Sequence, residues 1–344
     1  MPRIEDLISA RDLQNYIAER EYPAHLGETL FPNKKSDITS LRYVLGANHA
    51  PVSASIRAVD AETQVGGRQA EIDTFEHDIF TIARKIPMTE KFILELSRAT
   101  DTGLVQSLVE GVFNDLDNMV EAVRVRVERM RMDVLFNGKL EINENGFVGE
   151  VDYKVPGDHQ IDVSTATAWG TANGDWIKDL EDWKQLLQAK GVVASRILTT
   201  GEVVQAVIRD PNTIRYIGNV GYLTENILND WLYSVGLPTF ATYEDIYGVE
   251  LNDGSIEQRK YVPSGKLALF GSDIMGETQF GITAEEVELR LDQSIELTEQ
   301  NYIIGAIERQ FDPVQRWTKA VARALPSFSQ AHAVIQAQVL PASV

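Results

Sequence analysis

The sequence predicts an α+β fold organised around one very long helix. Three observations carry this: one apolar stripe from Leu104 to Val134, strand-like alternation on both sides of it, and alternating short strands and helices over residues 173–301. With 344 residues, 44% of them hydrophobic, the chain can build two ordinary domains, each with a core.

Residues 1–50 read as an extended arm. Ile4, Leu7, Ile8 and Leu13 recur at helical spacing, and a turn-rich passage follows through Pro23, Gly27, Pro32 and Asn33. Residues 51–88 read as an extended loop of two strands. In its first run, 52–65, Val52, Ala54 and Ile56 alternate with Ser53, Ser55 and Arg57; a second run covers 72–86, and Gly66-Gly67 marks the turn between them.

The clearest element is a helix over residues 102–135. Leu104, Leu108, Val112, Leu116, Met119, Val123, Val127, Met130 and Val134 recur at steps of three and four. At ~1.5 Å per residue such a helix is roughly 50 Å long, far beyond the usual helix of about 11 residues. Leu108, Val112, Leu116, Val123 and Val127 are its candidate core positions, and they need a sheet or a helix laid along them.

Gly138, Asn145-Gly146, Gly149 and Pro156-Gly157 punctuate short strands after it, and residues 164–174, rich in Thr, Ala and Gly, read as a linker with a domain boundary near Asn173. Trp176, Leu180, Trp183 and Leu187 mark a helix stopped by Gly191. Strand 195–200, helices 202–209 and 225–234, and strands 238–243 and 266–271 follow, with a hairpin turn at Asn252-Asp253-Gly254. The apolar tail from Asn301, ending in a strand over 333–340, is expected to return to the first domain.

Composition excludes several functions. Without cysteine there is no disulfide and no thiolate metal site, which fits a protein made in a reducing cytosol. The N-terminus lacks the apolar core of a signal peptide and no apolar run reaches membrane-spanning length, so no membrane partner is expected. The charge of -19, from 32 basic and 51 acidic residues, opposes any surface that grips phosphate backbones, so no sequence-specific nucleic acid is expected.

No motif points to catalysis. Asp101-Thr102-Gly103 spells the aspartic-protease triplet, but Ser97-Arg98-Ala99-Thr100 precedes it where an apolar strand is required, so Asp101 reads as a helix N-cap. His25, His49, His77, His159 and His332 never fall at i, i+4, the spacing of a helical zinc site, and read as surface or turn residues. Phosphate-binding loops, nucleophile elbows and dinucleotide fingerprints are absent, and no carboxylate pair stands out. Catalytic, cofactor and metal residues are therefore expected to be none. Arg124, Arg126, Arg129 and Arg131 lie beside the apolar stripe, and local pairing with Glu121 and Glu128 or pairing to a neighbouring subunit is favoured over contact with DNA.

The stretch Asp312-Pro313-Val314-Gln315-Arg316-Trp317-Thr318-Lys319-Ala320-Val321-Ala322-Arg323-Ala324-Leu325-Pro326, with Phe31-Pro32 in the arm and residues 80–87, resembles the lambda-type major capsid proteins of tailed bacteriophages. The order of elements is similar to the capsid fold of phage Hong Kong 97. The resemblance implies a peripheral domain (89–172 and 302–344) carrying the spine helix, an axial domain (173–301), and a loop lying over a neighbouring subunit. Arg57, Asp60, Glu62, Gly66, Gly67, Arg68, Glu71 and Asp73 are then candidate interface residues, because charges on an extended loop need partners. It implies an icosahedral shell around packaged DNA, built of pentamers and hexamers of this chain in the host cytoplasm and found in the virion. The implied partners are a scaffold protein, a portal and a separate decoration protein, with no cofactor and no turnover. Residues 52–72 contain no Lys, which argues against covalent cross-linking from this loop. An encapsulin-like compartment shares the fold, and an acidic cytosolic hydrolase is the enzymatic alternative; the latter explains neither arm nor loop.

Overall fold

The computed structural model describes residues 7–45, 73–88, 90–98, 102–144, 146–163, 167–171, 173–218, 222–251, 253–271, 273–291, 302–311 and 314–341. In chain order it begins with α1 (Ala10–Glu19), α2 (Leu26–Leu30), β1 (Asn33–Lys35), β2 (Ser40–Leu45), β3 (Asp73–Asp78), β4 (Phe80–Met88), α3 (Glu90–Arg98) and the spine helix α4 (Thr102–Asn137). Then come β5 (Lys139–Glu144), β6 (Phe147–Asp152), β7 (Gln160–Asp162), α5 (Trp176–Ala189), β8 (Arg196–Thr199), α6 (Gly201–Arg209), α7 (Pro211–Ile217), α8 (Glu225–Val235) and β9 (Thr239–Thr242). The rest is β10 (Ile246–Glu250), β11 (Ile256–Lys260), β12 (Lys266–Phe270), β13 (Thr278–Gly281), α9 (Ala284–Leu291), β14 (Ile304–Phe311), β15 (Val314–Pro326) and β16 (Val334–Gln338).

The chain divides into two compact units, one of residues 1–41, 76–131 and 277–327, the other of 42–75, 132–276 and 328–344. In the first, β15 is the central strand. Residues 316–324 pair antiparallel with β4, while β14 (on 314–321) and β13 (on 323–326) follow one another along the opposite edge. Arm strand β1 extends β13 in parallel. Helix α1 starts at a capping box in which Ser9 and Asp12 satisfy each other's backbone N–H groups, and it buries Leu13 and Ile17. At Gly305 of β14 a Cβ would come within 2.8 Å of Ile17 and 3.0 Å of Leu116, so this glycine lets α1 and the spine helix approach the strand.

The spine helix spans 36 residues, roughly 54 Å at ~1.5 Å per residue. Val112, Leu116, Met119, Val123, Val127, Met130 and Val134 are all buried along it. It ends at Gly138, whose left-handed φ of 67° no β-carbon favours and whose N–H closes the last turn on the Val134 carbonyl at 3.0 Å.

The second unit is built on the sheet β7-β16-β12-β8-β9. Leu267 and Leu269 of β12, Ile335 and Ala337 of β16 and Ile197 of β8 pack with Trp176, Leu180, Trp183 and Leu187 of α5, Val203 and Val207 of α6, and Leu228 and Leu232 of α8 in one core. Helix α5 stops at Gly191, φ 81°, and α8 at Gly236, φ 74°, each followed by a return hydrogen bond to the last turn.

Four expectations from sequence change. Residues 72–86 are not one strand: β3 pairs with β2 and β4 with β15, broken at buried Ile79. There the Ile79 N–H donates to the Thr39 carbonyl at 3.0 Å and its own carbonyl accepts from Arg323 at 3.1 Å, so its backbone is satisfied outside a ladder. Phe80 and Ile82 are accordingly half-buried on β4, opposite Ala324 and Ala322. Nor is the segment read as a linker a spacer, because Trp169 is 2% exposed, stacks on Trp183 at 5.7 Å and donates its indole N–H to Asp179 at 2.9 Å. Finally, the C-terminal tail divides: β14 and β15 lie in the first unit, but β16 lies between β12 and β7 in the second, where its buried run of Val334, Ile335 and Ala337 requires cover on both faces. Residues 277–291, read with the 173–301 body, likewise pack in the first unit through β13 and its partners β1 and β15.

Candidate assembly site: the arm on the spine helix

Within the first unit a polar cluster joins the arm to one face of the spine helix. Glu121, Arg124, Glu128 and Arg131 recur at steps of three and four, which places them along one stripe. Glu128 and Arg131 are 0% and 1% exposed, so their pairing carries a large desolvation cost unless every polar atom is satisfied. The cluster supplies those partners. One Glu128 oxygen accepts the Gly27 N–H at 2.8 Å and the other accepts from Arg131 Nη1 at 3.2 Å. Arg131 also donates through Nε to Thr278 Oγ1 at 2.9 Å and through Nη2 to Asn33 Oδ1. Thr278 completes the circuit by donating to the Phe31 carbonyl at 3.0 Å. Burial lowers the Arg131 pKa, opposed by the Glu128 and Glu28 carboxylates, and a guanidinium stays charged regardless.

One turn away the arm is held again. Arg124 pairs with Glu28 at 3.2 Å and Glu121 at 3.0 Å, donates to the Pro23 carbonyl at 2.7 Å and stacks on the Tyr22 ring at 5.2 Å. The Tyr22 and Tyr16 hydroxyls both donate to Asp117, at 2.9 and 2.8 Å. Burial, and then this shared carboxylate, push both phenols above their ordinary range. His25 lies 3.2 Å from Glu121, and its hydrogen bond, with help from Arg124, holds that carboxyl below its ordinary range.

A cavity of about 240 Å³ lies beside the cluster, lined in part by Arg20, Tyr22, Arg124, Val127, Arg131 and Tyr302. It is smaller than the usual ligand pocket of at least about 300 Å³. Each of its guanidinium groups already stands within 3.6 Å of a carboxylate, so none offers uncommitted charge to a ligand. What the arrangement does is mechanical: it ties residues 16–33 to the helix.

Gly27 is required for this approach, since a Cβ there would meet the Glu128 carboxylate and come within 2.8 Å of Arg131 Cδ. Gly27→Ala is therefore expected to cost about 1–3 kcal/mol in urea unfolding, with the midpoint lowered and the slope kept.

Of the candidate residues, Val112, Leu116, Val123 and Val127 are buried and Leu108 is half-buried. Asp73 opens β3, while Arg57, Asp60, Glu62, Gly66, Gly67, Arg68 and Glu71, with Asp101, lie outside the described residues. Arg124 and Arg131 pair with Glu121 and Glu128 on their own helix, and the arm adds Glu28, which sequence reasoning missed. The stripe of alternating charge beside the apolar one was the available signal; nothing local names its partner on the arm. His159, read as a surface or turn residue, sits in the turn Gly157–His159 but is fully buried. Among the described residues no group of metal-binding side chains forms, and no helix is long and apolar enough to cross a membrane.

A family model described as phage major capsid protein E matches residues 9–339. No curated protein matches the sequence. Among solved structures the chain is similar to one assigned as the capsid protein of an Escherichia coli CFT073 prophage, at 15% identity and a TM-score of 0.59 over 95% of this chain and 96% of that one. It is also similar to a phage-related protein of Bordetella bronchiseptica RB50, at 13% identity and a TM-score of 0.54 over 96% and 97% of the two chains. At such identities the likeness is one of fold.

Proposed function

The chain belongs to the phage major capsid protein E family and has the Hong Kong 97 capsid fold, and from that premise we propose how it builds its shell. Its role as a structural capsid protein of a tailed bacteriophage rests on the family match across nearly its whole length. In our reading it assembles in the host cytoplasm, as pentamers and hexamers, into an icosahedral head that encloses DNA and becomes part of the virion. Residues 1–50 act as the arm, and of the loop 51–88 the part before β4 lies over a neighbouring subunit, with Arg57, Asp60, Glu62, Gly66, Gly67, Arg68, Glu71 and Asp73 at that contact. The peripheral domain is residues 89–131 and 277–327 and the axial one 132–276 with 328–344, in place of the bounds 89–172 with 302–344 and 173–301. A scaffold, a portal and a decoration protein are the other partners, and the chain catalyses no reaction. The charge of -19 supports an inner wall along which DNA slides without sticking.

Negative-stain imaging of the protein produced with its scaffold tests the assembly. Closed shells of uniform diameter are expected, and a strictly monomeric protein across solution conditions sinks the reading. Shells packed with an enzyme instead of DNA point to an encapsulin-like compartment. Trypsin tests the loop separately: cleavage after Arg57 or Arg68 should be fast in free subunits and slow in shells, and equal rates refute the interlocking role.

A further inference from the structure

In the second unit three distant pieces of chain meet at one point: the turn Gly157–His159 that launches β7, the end of α5 at Lys190, and the turn Ala331–Ala333 that launches β16. His159 is 0% exposed. Its Nδ1 lies 2.7 Å from the Val334 carbonyl oxygen, which can only accept, so Nδ1 carries the proton. In the neutral ring Nε2 is then an acceptor, and it faces the Lys190 ammonium at 2.7 Å. Lys190 is held in place by Asp158 at 2.9 Å, and as the C-cap of α5 it also faces the negative end of that helix. His332 completes the group; its Nε2 is buried without a hydrogen-bond partner, and its electrostatic neighbours are His159 and Lys190.

We propose that His159, Lys190 and His332 form an acid-sensitive clasp that holds edge strand β7 on the C-terminal strand β16 while both imidazoles are neutral and lets it go when they take up protons. A proton on His159 Nε2 would point an N–H at an ammonium 2.7 Å away, in a ring with no room to turn. One on His332 would add a buried charge without a counter-ion beside the same ammonium. With both protonated, three cations face the single carboxylate of Asp158.

Titration runs in the same direction. Burial, then Lys190, lowers the His159 pKa below its ordinary value, and burial, then His159 and Lys190, lowers that of His332. The unfolded chain therefore binds more protons than the folded one below about pH 6.5, and the contact loses stability as pH falls from there. Asp158, held below its ordinary range by Lys190, remains a carboxylate through this window and keeps the ammonium in place.

What opens is small. Strand β7 pairs with β16 through Gln160, Ile161 and Asp162, with one further bond from the Val163 N–H to the Gln338 carbonyl at 2.9 Å, whereas β16 keeps five paired positions with β12. Release would therefore peel one edge, lift the half-buried Ile161 and Val163 off the core and bare a row of backbone donors and acceptors on β16.

Hydrogen exchange of the full-length protein, corrected for the intrinsic pH dependence of exchange, tests the clasp. Protection over residues 157–163 should fall about tenfold or more between about pH 7 and about pH 5, since each unit of pKa difference is worth a factor of ten. Residues 266–270 should keep theirs. In the double variant His159→Gln/His332→Gln, where an amide supplies a donor and an acceptor without titrating, protection should be the same at both pH values. Unchanged protection in the natural chain, or a full acid response in the double variant, overturns the proposal. Should the variant not fold, NMR titration of the two imidazoles in the natural chain decides: both should titrate below the ordinary histidine value, and either one at or above it overturns the proposal.

Discussion

Arg131→Ala should cost the subunit about 3–5 kcal/mol, because it removes the guanidinium that pairs with the buried Glu128 carboxylate. Glu128 is 0% exposed, so the lost pair lies in a buried setting, and Asn33 and Thr278 lose their donor as well. A loss of that size is a large fraction of the ~5–15 kcal/mol that stabilises a typical native domain. The double variant Glu128→Gln/Arg131→Met should be less destabilised than Arg131→Ala alone, since the amide oxygen still accepts the Gly27 N–H and no unpaired charge remains. Urea unfolding of the two variants against the natural chain measures this. A cost below about 1 kcal/mol for Arg131→Ala is the size of an exposed ion pair and would mean that the cluster is open to solvent.

Val127→Asp should be more damaging still. Val127 is 2% exposed and lines the cavity beside Arg124 and Arg131, whose guanidinium groups are already paired with Glu28, Glu121 and Glu128, so the new carboxylate would be buried with no uncommitted counter-ion. The expected result is an insoluble or unfolded subunit that forms no shells. Val127→Thr keeps the shape and adds only a hydroxyl, so it should fold at a cost of about 1–3 kcal/mol. Normal particles from Val127→Asp would refute the burial of this face.

The spine helix was legible because helical periodicity is local. Leu108 through Val134 recur on a period that needs no knowledge of the partner, and the structure extends the expected helix only from Leu135 to Asn137, where Gly138 stops it. The helix of Trp176 and its stop at Gly191 were readable for the same reason. Trp169 was misread because small residues surround it, and nothing in such a neighbourhood reports that the indole stacks on Trp183. The run 72–86 was misread because alternation marks extended backbone without saying which strand pairs with it, and its two halves have different partners.

By itself, then, the sequence determined the long helix, the alternation of strands and helices after residue 173, the family likeness carried by residues 312–326, and an acidic balance unsuited to gripping DNA. These are properties of spacing and composition, and they survive in any arrangement of the chain. Only the tertiary structure decided that Gly27 meets Glu128 across 101 positions, that His159 meets Lys190, and that the tail splits between two sheets. Burial makes the difference. An arginine beside a glutamate on a helix reads as a solvated pair until another segment covers it, and the covering segment comes from a part of the chain that local pattern cannot name.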